Sequence, residues 1–190
     1  EARPRGLSWS KLLTAARVAL KNCEYEEAIV HCETALRSPH LRSDSEATIR
    51  CLLAEAFEGL AQFTNAVQAI HQYEKEQKRE ALSPLMQSQV CLRLGSAYGG
   101  TTEIPKAIAF AKQSLTSAIE QNDATAIAHS HIVLGTLYRR LGELWFARDH
   151  FSKVIKETLR HGNRNLVAQA YNGIGIVGFL AGDFWSVGCA

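Results

Sequence analysis

The chain has 190 residues, 46% of them hydrophobic and 21% charged, the composition of a globular domain or a repeat array. Its 21 basic and 19 acidic residues leave a formal charge of +2, so there is no one-signed field of the kind that binds nucleic acid or a membrane surface. No apolar run reaches the roughly 18 residues of a spanning segment, and five cysteines without a C-x-x-C pair read as reduced thiols of a cytoplasmic protein.

Residues 8–38 are expected to form a first pair of helices, with the small residues Ala16 and Ala28 and with Pro39 just past the end. Residues 45–81 form a second pair, capped by Asp44 or Ser45, with Ala54 and Ala66 in the same places. Its tail "YEKEQKRE" (Tyr73 to Glu80) mixes both signs and reads as a solvated helix face. In the third pair, residues 84–122, Ser83 is the cap, Pro84 the first helical residue and Pro105 a first-turn residue of the partner helix. Its small or aromatic markers are Gly95, Tyr98 and Ala107. In residues 124–162, Ile127, Leu134, Leu137, Tyr138 and Leu141 recur at helical spacing before a stop at Gly142. Leu144, Ala147, Phe151, Val154, Ile155 and Leu159 follow, up to Gly162. Residues 164–190 begin a fifth pair, with Gly175, a turn at Gly182, Phe184 and Val187. No β-type alternation of any length occurs.

The five pairs are one repeat. Ala16, Ala54, Gly95, Gly135 and Gly175 stand 38, 41, 40 and 40 residues apart, and twelve residues after each stands Ala28, Ala66, Ala107, Ala147 or Val187. An apolar residue follows each small one at nine places: Tyr25, Phe63, Ile104, Leu144 and Phe184. A small residue facing a small residue lets two helices approach closely. The larger neighbours fill the flanking volume at roughly 1.5–3 kcal/mol each when fully buried. A single helical hairpin cannot bury both faces, so the units must stack into an all-α solenoid of antiparallel pairs.

"VLGTLYRRLGELWFARDHFSKVI" (Val133 to Ile155) resembles a tetratricopeptide repeat, with Leu134-Gly135, Tyr138, Gly142, Ala147 and Phe151 in that family's places. "RLGSAYGGTTEIPKAIAFA" (Arg93 to Ala111) is similar. The period near 40 resembles the longer repeats of kinesin light chains, Pins-type adaptors and bacterial signalling regulators. The resemblance implies a right-handed superhelix whose first helices line a concave groove for a protein or peptide. Carried onto this chain, the groove positions include Arg17, Glu55, Arg93, Ser96, Ile132, Thr136, Arg139, Arg140, Asn172 and Ile176. Arg93, Arg139 and Arg140 suit a carboxylate or an acidic segment through forked hydrogen bonds. Arg17 and Glu55 stand where the family's chaperone-tail clamp wants asparagine, so that ligand is not expected.

Other chemistry is weakly signalled. His129 and His131 lie two apart on a helix and point to different faces, so no metal site and no cofactor is expected. No catalytic motif is present. Cys32, Cys51 and Cys91 read as small hydrophobes, and Trp145 and Trp185 as packing between units. Gly173-x-Gly175-x-x-Gly178 spells a dinucleotide fingerprint, but a helical pattern precedes it, so Gly175 is read as the close-packing glycine and Gly173 and Gly178 are left without a role. Met86 is the only methionine, and the chain is read as a piece of a longer protein whose other domains are among its partners. The leading expectation is a non-enzymatic binding module. Its rivals are a sensor that gates an attached kinase, ATPase or DNA-binding domain, and a self-association module.

Overall fold

The computed structural model of the chain describes residues 8–39, 41–158 and 163–182. The helices are α1 (Trp9–Lys21), α2 (Tyr25–Leu36), α3 (Ser43–Gly59), α4 (Phe63–Ile70), α5 (Glu76–Glu80), α6 (Pro84–Gly99), α7 (Ile104–Glu120), α8 (Ala124–Arg140), α9 (Leu144–Thr158) and α10 (Arg164–Leu180), with a 3-10 turn at His71–Glu74. Among the described residues there is no strand. Leu159, Gly162, Phe184, Trp185, Val187 and Cys189 lie outside the described residues.

Three- and four-residue links fold α1 onto α2, α3 onto α4, α6 onto α7 and α8 onto α9, so each pair is antiparallel. The helices α1, α3, α6, α8 and α10 also pack in succession against one another. Each of α2, α4, α7 and α9 touches its own first helix and the next one. Among the described residues these second helices do not touch each other. One row is therefore close-packed and the other splayed, which curves the stack with the first helices on its inner side.

The small residues carry this packing. Ala16, Ala28, Ala54, Ala66, Ala107 and Ala147 have no accessible surface. A Cβ added at Gly95 would lie 3.1 Å from the backbone and Cβ of the facing helix, at Ala107 and Ala111. Gly175 departs from the pattern: it is half-buried, and an added Cβ would meet nothing within 4 Å. Gly173 takes the close contact instead. Its added Cβ would lie 2.6 Å from the Phe151 ring, and that of Gly135 2.8 Å from the same ring. Phe151, 2% exposed, is thus a wedge between two helices that have no side chain where it presses. The dinucleotide-like glycines Gly173, Gly175 and Gly178 all lie within helix α10, not at a strand-to-helix turn.

The turns between paired helices follow one scheme. Cys23, Ala61 and Gly142 have φ of 62°, 56° and 78°. After each, the next amide bonds back five residues: Glu24 to Ala19 at 2.9 Å, Gln62 to Phe57 at 2.8 Å and Glu143 to Tyr138 at 3.0 Å. This is the left-handed helix end that suits glycine, and two of the three sites carry an L side chain. The third unit does without it, because the Thr101 hydroxyl donates to the Tyr98 carbonyl (2.8 Å) and accepts from the Glu103 amide (3.1 Å).

Two other expectations change. Asp44 lies inside α3 rather than before it, and its carboxylate accepts the Ser83 N–H of the next unit at 3.0 Å. That bond holds its carboxyl below the usual range. The "YEKEQKRE" tail is not one solvated helix. Tyr73 is buried, and Arg79 turns back to donate to the Tyr73 and Glu74 carbonyls, each at 2.7 Å. Glu74 then accepts the Tyr98 hydroxyl and Lys106 Nζ, the latter at 2.7 Å, which docks the turn on the third unit.

Three serines form a buried polar row through the middle of the stack. Ser114 Oγ on α7 donates to the Ser88 carbonyl on α6 (2.9 Å) and lies 3.1 Å from Ser130 Oγ on α8. All three are 0–2% exposed and all three are satisfied.

Candidate functional site

A cleft of about 640 Å³ opens on the inner row, where α3, α6 and α8 lie side by side. The three helices present every third or fourth residue to it. Helix α3 supplies Glu55 and Glu58, α6 supplies Leu92, Arg93, Ser96 and Gly99 with Gly100 just past its end, and α8 supplies His129, Ile132, Val133, Thr136, Leu137 and Arg140. Phe63 from α4 and Gln169 from α10 close the ends. Glycine matters on the α6 side: a Cβ at Gly100 would overlap the Phe63 ring, and one at Gly99 would lie 2.8 Å from Leu137.

Of the groove residues expected from sequence, Glu55, Arg93, Ser96, Ile132, Thr136 and Arg140 line the cleft together. Arg17 on α1, Arg139 on α8 and Asn172 and Ile176 on α10 do not line it. Phe63, His129, Leu137 and Gln169 line it and were not foreseen. His129 and Gln169 share a signal, since each stands six residues before its unit's small position.

The polar floor is a charged trio. Arg93 Nη2 donates to Glu55 Oε2 at 2.7 Å, and Nη1 lies 3.5 Å from Glu58 Oε1. Ser96 Oγ donates to Glu58 Oε2 at 2.5 Å. Glu58 Oε1 has no accessible surface and no hydrogen-bond partner. Burial pushes the Glu58 carboxyl above the ordinary range against the pull of Arg93 and Ser96. Burial works against the charge of Arg93 too, but the two carboxylates outweigh it and hold the guanidinium's pKa up. Of the arginines expected to suit a carboxylate, Arg93 is thus already engaged by two carboxylates of the chain itself. Arg140, exposed at the rim, reaches the Thr101 carbonyl at 3.4 Å. His129 is biased to its neutral form by burial and by the Arg93 charge.

No protein-family model matches the chain. Over 161 residues, 82% of its length, it is 25% identical to the 43 kDa receptor-associated protein of the synapse of Gallus gallus. Over 163 residues it is 26% identical to the protein of the same name in Tetronarce californica. The matched region is 39% of each relative, so the chain spans about two-fifths of their length. Among solved structures, the crystal structure of BtubC (BKLC) from P. vanneervenii superposes with a TM-score of 0.72 at 16% identity, covering 94% of this chain and 74% of that one. At that identity the likeness is one of fold. The chain is an all-α helical repeat protein.

Outside the cleft, His131 and His150 face each other with Nδ1 to Nδ1 at 2.9 Å, and Tyr138 stacks on His150 at 5.4 Å. His129 and His131 do point to different faces, one to the cleft and one to α9. Among the described residues no group of His, Cys, Asp and Glu could hold a metal ion. Cys32, Cys51 and Cys91 are buried in the core, and burial pushes the Cys32 and Cys51 thiols up to about 12. Trp145 is not packed between units as expected: it is 72% exposed and touches Phe146 edge-on at 5.1 Å.

Proposed function

We propose that the chain is a non-catalytic, tetratricopeptide-like module that binds a segment of another protein in the cleft between α3, α6 and α8. The observation that carries this reading is the cleft itself. Its mix of half-buried apolar side chains and a few convergent polar groups is the make-up of a recognition groove. The name shared by the two relatives, a receptor-associated protein, supports a binding role, and the matched region being part of a longer protein supports a scaffold or regulator as parent. Free thiols at Cys23, Cys32, Cys51 and Cys91 support a cytoplasmic setting. Among the described residues no helix is long and apolar enough to cross a membrane.

The test is selection of binders from a random peptide library, followed by binding to a Leu92→Asp/Ile132→Asp variant shown by circular dichroism to be folded. Binding to the variant at unchanged affinity removes the cleft from consideration. A second reading, self-association, draws on the exposed cluster of Leu141, Trp145 and Phe146 beside the α8–α9 turn. Light scattering that shows a dimer lost on Trp145→Glu would favour it.

A further inference from the structure

The polar floor of the cleft is unbalanced. Two carboxylates, Glu55 and Glu58, face one guanidinium, Arg93. Glu58 Oε1 is sealed from solvent with only Arg93 Nη1 near it, at 3.5 Å, Glu58 Oε2 is held by Ser96, and Glu55 is the more exposed carboxylate. We infer that the cleft takes a segment presenting a lysine or arginine side chain to Glu58 and Glu55, flanked by apolar residues. This rests on the cleft being the binding site and reverses the acidic ligand expected from the arginines.

The charge arrangement decides the sign. An acidic side chain brought to Arg93 would set three carboxylates around one cation. An ammonium or guanidinium instead restores the balance of charge, entering beside Glu55, the more exposed of the two carboxylates. Its charge also favours the ionised form of Glu58, a carboxylate that burial otherwise drives toward its protonated form. The flanking contacts follow from the walls, where Leu92 on α6 and Val133 on α8 are half-buried apolar side chains. Arg140 at the rim repels a cation, so the basic side chain enters on the α3 side of the cleft and not at its α8 edge.

The experiment is a ¹H–¹⁵N NMR titration of the whole chain with the N-acetyl tripeptide amides Leu-Arg-Leu, Leu-Glu-Leu and Leu-norleucine-Leu. The arginine peptide is expected to shift the amides of Glu58, Ser96 and Val133 and to bind about tenfold or more tightly than either control. Its binding is expected to move the Glu58 carboxyl titration, read by ¹³C, toward the ordinary glutamate range. Glu58→Gln, or the more exposed Glu55→Gln should the first not fold, is expected to erase most of the preference. Binding of the glutamate or norleucine peptide at the same amides as tightly as the arginine peptide overturns the cation reading and leaves the cleft as a binding site. Absence of shifts at cleft amides with all three peptides also overturns it, and the library selection then judges the cleft.

Discussion

Two glycines two residues apart on α10 should respond oppositely to the same substitution. Replacing glycine by alanine in a helix gains about 1 kcal/mol of propensity. At Gly175 the new methyl meets nothing within 4 Å, so most of that gain is kept and the chain is stabilised by roughly 0.5–1 kcal/mol. At Gly173 the methyl would lie 2.6–2.7 Å from three ring atoms of Phe151, far inside ordinary contact. The ring has little room to retreat, because it is 2% exposed and backs onto Gly135 of another helix so closely that a Cβ there would lie 2.8–3.0 Å from it. Overpacking of this kind costs about 1–3 kcal/mol, so Gly173→Ala is net destabilising by up to about 2 kcal/mol after the propensity gain. Urea unfolding of both variants, with slopes compared to confirm that the transition is the same, measures the difference. The expected separation is about 1–3 kcal/mol in favour of Gly175→Ala, from the two magnitudes above. If Gly175→Ala proves the less stable of the two, the wedge argument is wrong and the forty-residue rhythm names the close contact correctly.

Ala61, at φ 56° in a left-handed helix end, should be improved by Ala61→Gly, with an expected gain of about 1 kcal/mol in chemical denaturation. His131 titrates near 4 in the fold against an ordinary 6.5, so the unfolded chain binds more protons between those values and stability falls as pH is lowered through that window. From pH 7 to 5 the loss from His131 alone is about 2 kcal/mol, and His131→Gln should flatten the slope in pH-dependent unfolding. Arg93→Leu should strand Glu55 and Glu58, costing about 2 kcal/mol at pH 7 and less as the pH falls, because burial raises the Glu58 pKa and protonation relieves the stranded charge; a cost that does not fall with pH refutes the trio as an ionic unit.

Much of the fold is legible in the spacing of small residues, because an alanine or glycine at a helix crossing is a steric requirement that recurs with the unit. The same logic misplaces the contact in α10. There the bulky partner is Phe151 of the preceding pair, and its position is set by packing between units that a within-unit rhythm does not encode. The break after α4 is also hidden. Nothing in "HQYEKEQKRE" forbids a helix locally, and the interruption comes from Tyr73 turning inward and Glu74 docking on Tyr98 and Lys106. In the cleft, the positions of Arg93 and Glu58 can be read from the repeat, but their pairing cannot. It needs neighbouring first helices at a set height, and it changes the sign of the surface read from Arg93 alone.

The serine row gives the groove unequal walls. Rows of alanine and glycine are smooth and tolerate sliding, since a shift exchanges one apolar contact for another. A shift of α6, α7 or α8 along its axis would strip Ser88, Ser114 and Ser130 of partners at 0–2% exposure, at about 1–3 kcal/mol for each orphaned hydroxyl. The α6–α8 wall is therefore a fixed jaw. The opposite wall, α3, meets α6 across the cleft through Arg93, Glu55, Glu58 and Ser96, whose bonds a bound charge can rearrange. Any change in groove width on binding is then a movement of the first two units against a rigid centre, and distance probes on α3 and α8 are where it would register.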